Sequence, residues 1–157
     1  MTDVARYAHN AKVLAYLARG ETREPVFAWH RDYSGNRDPY WEAGCHPDIV
    51  ERLWKQIGTA LPSDCCSLVC GTPALTHPVS GAILAIGMGT EYGLRLAEPS
   101  LSAALAAGAK TLMTWGAGGG STDIRKVCGA DWLFGGWATK EPEWCRHAFD
   151  AFGKFGD

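Results

Sequence analysis

A chain of 157 residues with 46% hydrophobic and 20% charged side chains has room for one domain, residues 1–157, and enough apolar surface to fold without cross-links. No apolar run approaches the roughly 20 residues that span a bilayer, and the opening Met1-Thr2-Asp3 lacks the basic-then-apolar pattern of a secretion signal, so a cytoplasmic location is expected. A formal net charge of −2 gives no basic footprint for nucleic acid.

Charge is spread unevenly along the chain. Residues 53–105 carry only Lys55 and Arg95 against Asp64, Glu91 and Glu98. This middle third is the expected buried sheet, with more solvated elements before and after it.

The first element is an amphipathic helix over 3–19, with Val4, Tyr7, Ala11, Leu14 and Leu17 at steps of three and four. Asp3 suits its cap and Gly20 its end. Residues 25–30 read as a short strand, and 31–44 as a loop dense in aromatics, Asp, Asn and Gly. His46-Pro47-Asp48 opens a second helix with Pro47 in its first turn and Ile49, Val50, Leu53, Trp54 and Ile57 on its apolar face. Gly58 and Pro62 mark its end.

From Ser67 the pattern is that of strands. Residues 67–70, 74–77, 82–86 and 92–96 alternate with the turn signals Pro78-Val79-Ser80-Gly81 and Gly87-Met88-Gly89-Thr90. An Ala-rich helix follows Glu98-Pro99-Ser100 and closes at Gly108. Residues 111–115 read as another strand and 122–127 as a short helix. Glu141-Pro142-Glu143 begins the last helix, with Trp144, Ala148, Phe152 and Phe155 facing inward. The order defines an α+β fold, an antiparallel meander of about four to six strands flanked by amphipathic helices.

Cysteines stand at 45, 65, 66, 70, 128 and 145, with no Cys-x-x-Cys pair. In a chain of this size they are expected to be reduced, structural thiols. Cys65, Cys66, Cys70 and His77 include zinc-ligand types without the short paired spacings of a zinc motif, so no metal is expected. The glycine-rich run 116–120 follows a strand, where main-chain amides can cradle a phosphate. It lacks the Lys of a phosphate loop, however, and the third glycine of a dinucleotide fingerprint falls at Ser121. No cofactor is assigned.

Leu53-Trp-Lys-Gln-Ile-Gly-Thr-Ala-Leu-Pro-Ser-Asp64 resembles the opening helix and Leu-Pro signature of a superfamily of immunity proteins. The resemblance covers these twelve residues, no matching Gly-rich continuation follows, and no functional residue is carried over from it.

Two functional readings follow. In the first, the chain is a small cytosolic protein-binding protein of the immunity or antitoxin kind. It would neutralise a protein partner, a toxin for example, without chemistry of its own. Its surface would be the aromatic segment 29–41, in which Arg31, Tyr33, Arg37 and Tyr40 have the composition of binding hot spots, while Trp29 and Trp41 act as structural anchors. Trp132, Phe134 and Trp137 form a second aromatic group open to either role. In the alternative, the chain is a small enzyme or ligand-binding domain. Its site would lie between the loop 116–120 and Cys45-His46, where a helix N-terminus and an imidazole would favour a thiolate.

Overall fold

In the computed structural model, which describes residues 3–19, 45–115 and 120–154, the charge-poor middle of the chain forms an antiparallel sheet. Strands β1 (Cys66–Val69), β2 (Thr72–Thr76), β3 (Ile83–Met88) and β4 (Glu91–Arg95) follow one another as a meander. Next come β5 (Leu112–Trp115) and β6 (Gly120–Asp123), which pair with each other as a separate ribbon. Finally β7 (Trp132–Phe134) returns to the far edge, giving the order β1-β2-β3-β4-β7. The α+β class and the meander agree with the sequence reading. The strand β7 was not foreseen, and it settles the role of Trp132 and Phe134, which are buried core side chains.

Local chemistry sets the hairpins. Val69 pairs with Thr72 across a two-residue turn, Cys70-Gly71, whose φ values are 51° and 76°. Both are positive, as the twist of a tight hairpin requires. The β3–β4 turn uses Gly89, at φ 70°, in its first position. Between β2 and β3 the register slips: Leu75 faces Ala85 while Thr76 faces Ile83, so Leu84 is an extra residue. This bulge turns Leu84 and Ala85 to the same side, and both join Leu75, Tyr92, Leu94 and Leu133 in one half of the core.

Helices cover both faces. On one face, α1 (Ala11–Ala18) and α4 (Ile124–Val127) close over Ile83, Ile86, Met88, Trp132 and Phe134. On the other lie α2 (Pro47–Glu51) with its continuation, α3 (Ser100–Ala106) and α5 (Glu141–Ala151). A sheet covered twice needs apolar residues in both directions, which is why β2 and β3 are buried at every position.

Three elements differ in detail from expectation. Residues Val4–Arg6 and Ala8–Asn10 form 3₁₀ turns ahead of α1. Their three-residue period shifts the inward stripe to Asn10, Val13 and Leu17 and leaves Ala11 exposed. Helix α2 opens as read, with Pro47 in its first turn, but its continuation Arg52–Ile57 widens into π-helical turns, and the Gly58 N–H reaches back to the Leu53 carbonyl. Leu53 and Ile57 are fully buried while Trp54 is only partly so, its indole N–H donating to the Ala74 carbonyl at 2.9 Å. Thr122 belongs to β6, opposite Met113, and the short helix starts later at Ile124 with Asp123 as its cap.

Candidate functional site

Arg31, Tyr33, Arg37 and Tyr40 lie outside the described residues, as do Trp29, Trp41, the expected strand 25–30, residues 116–119 of the glycine-rich run and Phe155. Cys45 and His46 are described, and they do not make a nucleophile and its base. Cys45 is buried against Gly87, where an added Cβ would stand 2.4 Å from its Sγ, and burial pushes its thiol up to about 12. His46 is the N-cap of α2: its Nδ1 accepts the Asp48 N–H at 3.0 Å. One residue packs and the other caps.

All six cysteines are thiols, none joined in a disulfide. Burial also pushes Cys65 and Cys128 up to about 12 and raises Cys145 further. Among the described residues no group of three His, Cys, Asp or Glu side chains is placed to hold a metal ion. No helix among them is long and apolar enough to cross a membrane.

Two of the networks of buried polar groups centre on Glu141 and on Arg95. Glu141, in the first turn of α5, accepts from Arg52 Nη2 at 2.7 Å, from the Tyr92 hydroxyl, and from the Gly136 N–H at 3.0 Å. The Tyr92 oxygen in turn accepts the Trp137 N–H at 2.8 Å. Burial and the adjacent carboxylate hold the Tyr92 phenol well above its ordinary value. The network ties the α2 continuation and β4 to the segment 135–138 between β7 and α5, a structural role. The second network centres on Arg95, whose Nη1 donates to Asn10 Oδ1 and whose Nη2 donates to the His9 carbonyl, both at 3.0 Å. It ties the chain's first turns to β4.

A hydroxyl–imidazole pair also exists. Ser100 Oγ lies 3.1 Å from His147 Nδ1 in an open cavity of about 410 Å³ that Lys140 and Glu143 also line. Such a pair can act as nucleophile and base when amide donors face the developing oxyanion. The nearest helix amides are committed elsewhere, Leu101 N–H to the Ala97 carbonyl and Ser102 N–H to Glu98 Oε1. The pair fastens α3 to α5.

The remaining candidate is the outer edge of the sheet. Strand β1 pairs only with β2 among the described residues. Cys66 and Leu68 are exposed, Leu68 at 56%. Beside the strand lies an open cavity of about 780 Å³, walled by Val4, Leu14, Trp54, Leu68 and Val69, and none of its described lining residues is charged. Edge strands are ordinarily defended by Lys, Pro or a bulge. Cys66-Ser67-Leu68-Val69 carries none of these. The sequence reading found the strand but not its edge position, which depends on the order of strands; the absence of charge was the only local signal. Comparison with models of protein families, with curated proteins and with solved structures finds no match.

Proposed function

We propose that this chain is a small protein-binding module that receives an extended, apolar segment of a protein partner along β1. The observation that carries the reading is the outer edge of β1, which pairs with no further strand among the described residues, beside a groove whose described lining residues carry no charge. Main-chain groups of an edge strand supply affinity to an added strand, and side-chain pockets beside it supply specificity. The raised thiols and the committed amides around Ser100 favour binding over chemistry. The narrower form of the reading is an immunity-like protein that masks a toxin, with Arg31, Tyr33, Arg37 and Tyr40 as a second contact. Six thiols without a disulfide support a reducing, cytoplasmic setting for it.

The test is selection of extended peptides from a displayed library, followed by amide exchange. Bound peptides should protect the outward-facing Leu68 amide, and Leu68→Lys should abolish binding while changing stability by no more than about 0.5 kcal/mol, as an exposed site does. Protection confined to another face, or pairing of β1 with β1 of a second copy, would overturn the reading.

A further inference from the structure

The hydrogen-bond phase of β1 is fixed by its partner strand. The Thr76 N–H donates to the Cys65 carbonyl at 2.8 Å, and bonded positions recur at every second residue of an antiparallel pair, so the main-chain groups of Ser67 and Val69 also face β2. Pro73 stands opposite Leu68 and has no N–H to give, which agrees with that phase. The N–H and carbonyl of Leu68 therefore point away from β2, as do those of Cys66. The two residues differ in one respect. The Cys66 N–H is taken at 3.0 Å by Oδ1 of Asp64, whereas among the described residues no group bonds the main chain of Leu68. Asp64 is exposed, and it stands at one end of a groove whose described lining residues carry no charge. That groove wraps around the strand. Trp54 packs with the half of the core that holds Leu75, the residue across from Cys66, while Val4 and Leu14 pack with the half that holds Val69.

We propose that the segment docking on β1 runs antiparallel to it, presents an unbroken apolar run centred opposite Leu68, and carries a Lys or Arg three or four residues beyond that centre, against Asp64. This rests on the reading of β1 as a docking edge and adds direction, register and charge to it. Successive residues of an added strand point to opposite sides of the sheet. The central one meets Trp54 and Leu68, and its two neighbours meet Val4, Leu14 and Val69, so all must be apolar. The central residue exchanges both main-chain bonds with Leu68. The second residue after it donates to the Cys66 carbonyl but finds the Cys66 N–H occupied, so the ladder stops there and the chain passes the Asp64 carboxylate. Antiparallel pairing is the more stable arrangement, and it puts the later end of the docked segment at that carboxylate. A cation there gains an ion pair and an anion meets repulsion.

The probe is a randomised library of displayed peptides, about eight residues long to exceed one ordinary strand, selected on the full chain and on Asp64→Asn. The amide oxygen of that variant still accepts the Cys66 N–H, so the charge goes and the turn stays. Protection of the Leu68 amide identifies peptides that dock on β1, and cross-strand NMR contacts to Leu68 give direction and register. Peptides selected on the full chain should run antiparallel, with Lys or Arg enriched three or four residues after the one facing Leu68, and Asp64→Asn should erase the enrichment. Replacing that cation by Glu in a resynthesised peptide should weaken binding about fivefold at low salt, and far less at about 1 M salt, where charges are screened beyond roughly 3 Å. Peptides that dock on β1 in parallel, show no cation enrichment, or keep it on Asp64→Asn would overturn this inference and leave the docking edge standing. A library with no peptide that protects Leu68 would overturn the docking edge, and this inference with it. If the variant fails to fold, the Glu replacement and its salt dependence on the full chain decide.

Discussion

Asn10 completes the main-chain bonding of Ile83: its Oδ1 accepts the Ile83 N–H at 3.1 Å. The same side chain donates through Nδ2 to the carbonyls of Gly81, at 2.8 Å, and Val4, at 2.7 Å. A fully buried amide thus does the work of a neighbouring strand at the start of β3, and also accepts from Arg95. Asn10→Ala takes a partner from the Ile83 N–H, the Gly81 and Val4 carbonyls and Arg95, and should cost about 2–4 kcal/mol in urea unfolding. Asn10→Asp keeps the acceptor but places a charge against two carbonyls, so it should not rescue the loss.

Glu141 gives a second measure of buried polarity. Truncating it strands the Arg52 guanidinium, the Tyr92 hydroxyl and the Gly136 N–H together. Glu141→Ala should therefore cost about 3–5 kcal/mol, the range for breaking a buried ion pair by removing one partner. Tyr92→Phe keeps the ion pair and orphans chiefly the Trp137 N–H, so it should cost less, about 1–3 kcal/mol. Denaturant melts of the two variants would show the order.

The stability of the fold should fall on mild acidification through His77. Its Nδ1 accepts from the Val79 and Ser80 amides at 3.1 and 3.2 Å, so the neutral ring carries its proton on Nε2. Burial holds the imidazole below its ordinary value, with Asp150 opposing. In the window between the folded value and the unfolded value near 6.5, the unfolded chain binds more protons. This contribution is thus fully present above that window and is lost as pH falls through it. Unfolding free energies measured from about pH 7.5 to about pH 5.5 should decline, and His77→Asn, which retains an acceptor near Nδ1, should flatten the slope.

Thiol labelling reads the core directly. Cys45, Cys65, Cys128 and Cys145 are buried, whereas Cys66 and Cys70 are exposed. A disulfide reagent at neutral pH should modify two thiols in the folded protein and six after denaturation. Cys66 should be slow for an exposed site, since partial burial and Asp64 push it up to about 11. Four or more thiols reacting in the folded state would contradict the packing of Cys45 under β3.

How legible each element was depended on where its determinants lie. His46-Pro47-Asp48 and the alternation through β2–β4 are local signals, and both elements stand where they were expected. Strand β7 is three residues of mixed aromatics whose partner, β4, lies far back in the chain, so neither periodicity nor length marked it. Asn10 and Arg95 are 85 residues apart and meet only once the sheet is covered. Trp54 sat beside the inward stripe rather than on it, because π-helical turns widen the helix at that point. For the candidate site, the strand character of β1 was readable and its edge position was not.

The return of β7 to β4 has a consequence for synthesis. The nearly forty residues between Arg95 and Phe134 contain α3, the ribbon and α4, and all must be translated before the sheet is closed on that side. At ordinary elongation rates this interval lasts roughly two to eight seconds. Throughout it, a nascent meander would present Tyr92 and Leu94 on an open β4, while among the described residues its opposite margin, β1, has no further strand either. Among the described residues, the ribosome-bound chain therefore has two rims without a neighbouring strand, and β7 later seals the one at β4. A chaperone that holds extended apolar segments would find its natural target at β4 during these seconds, and release from it would coincide with the emergence of Trp132-Leu133-Phe134.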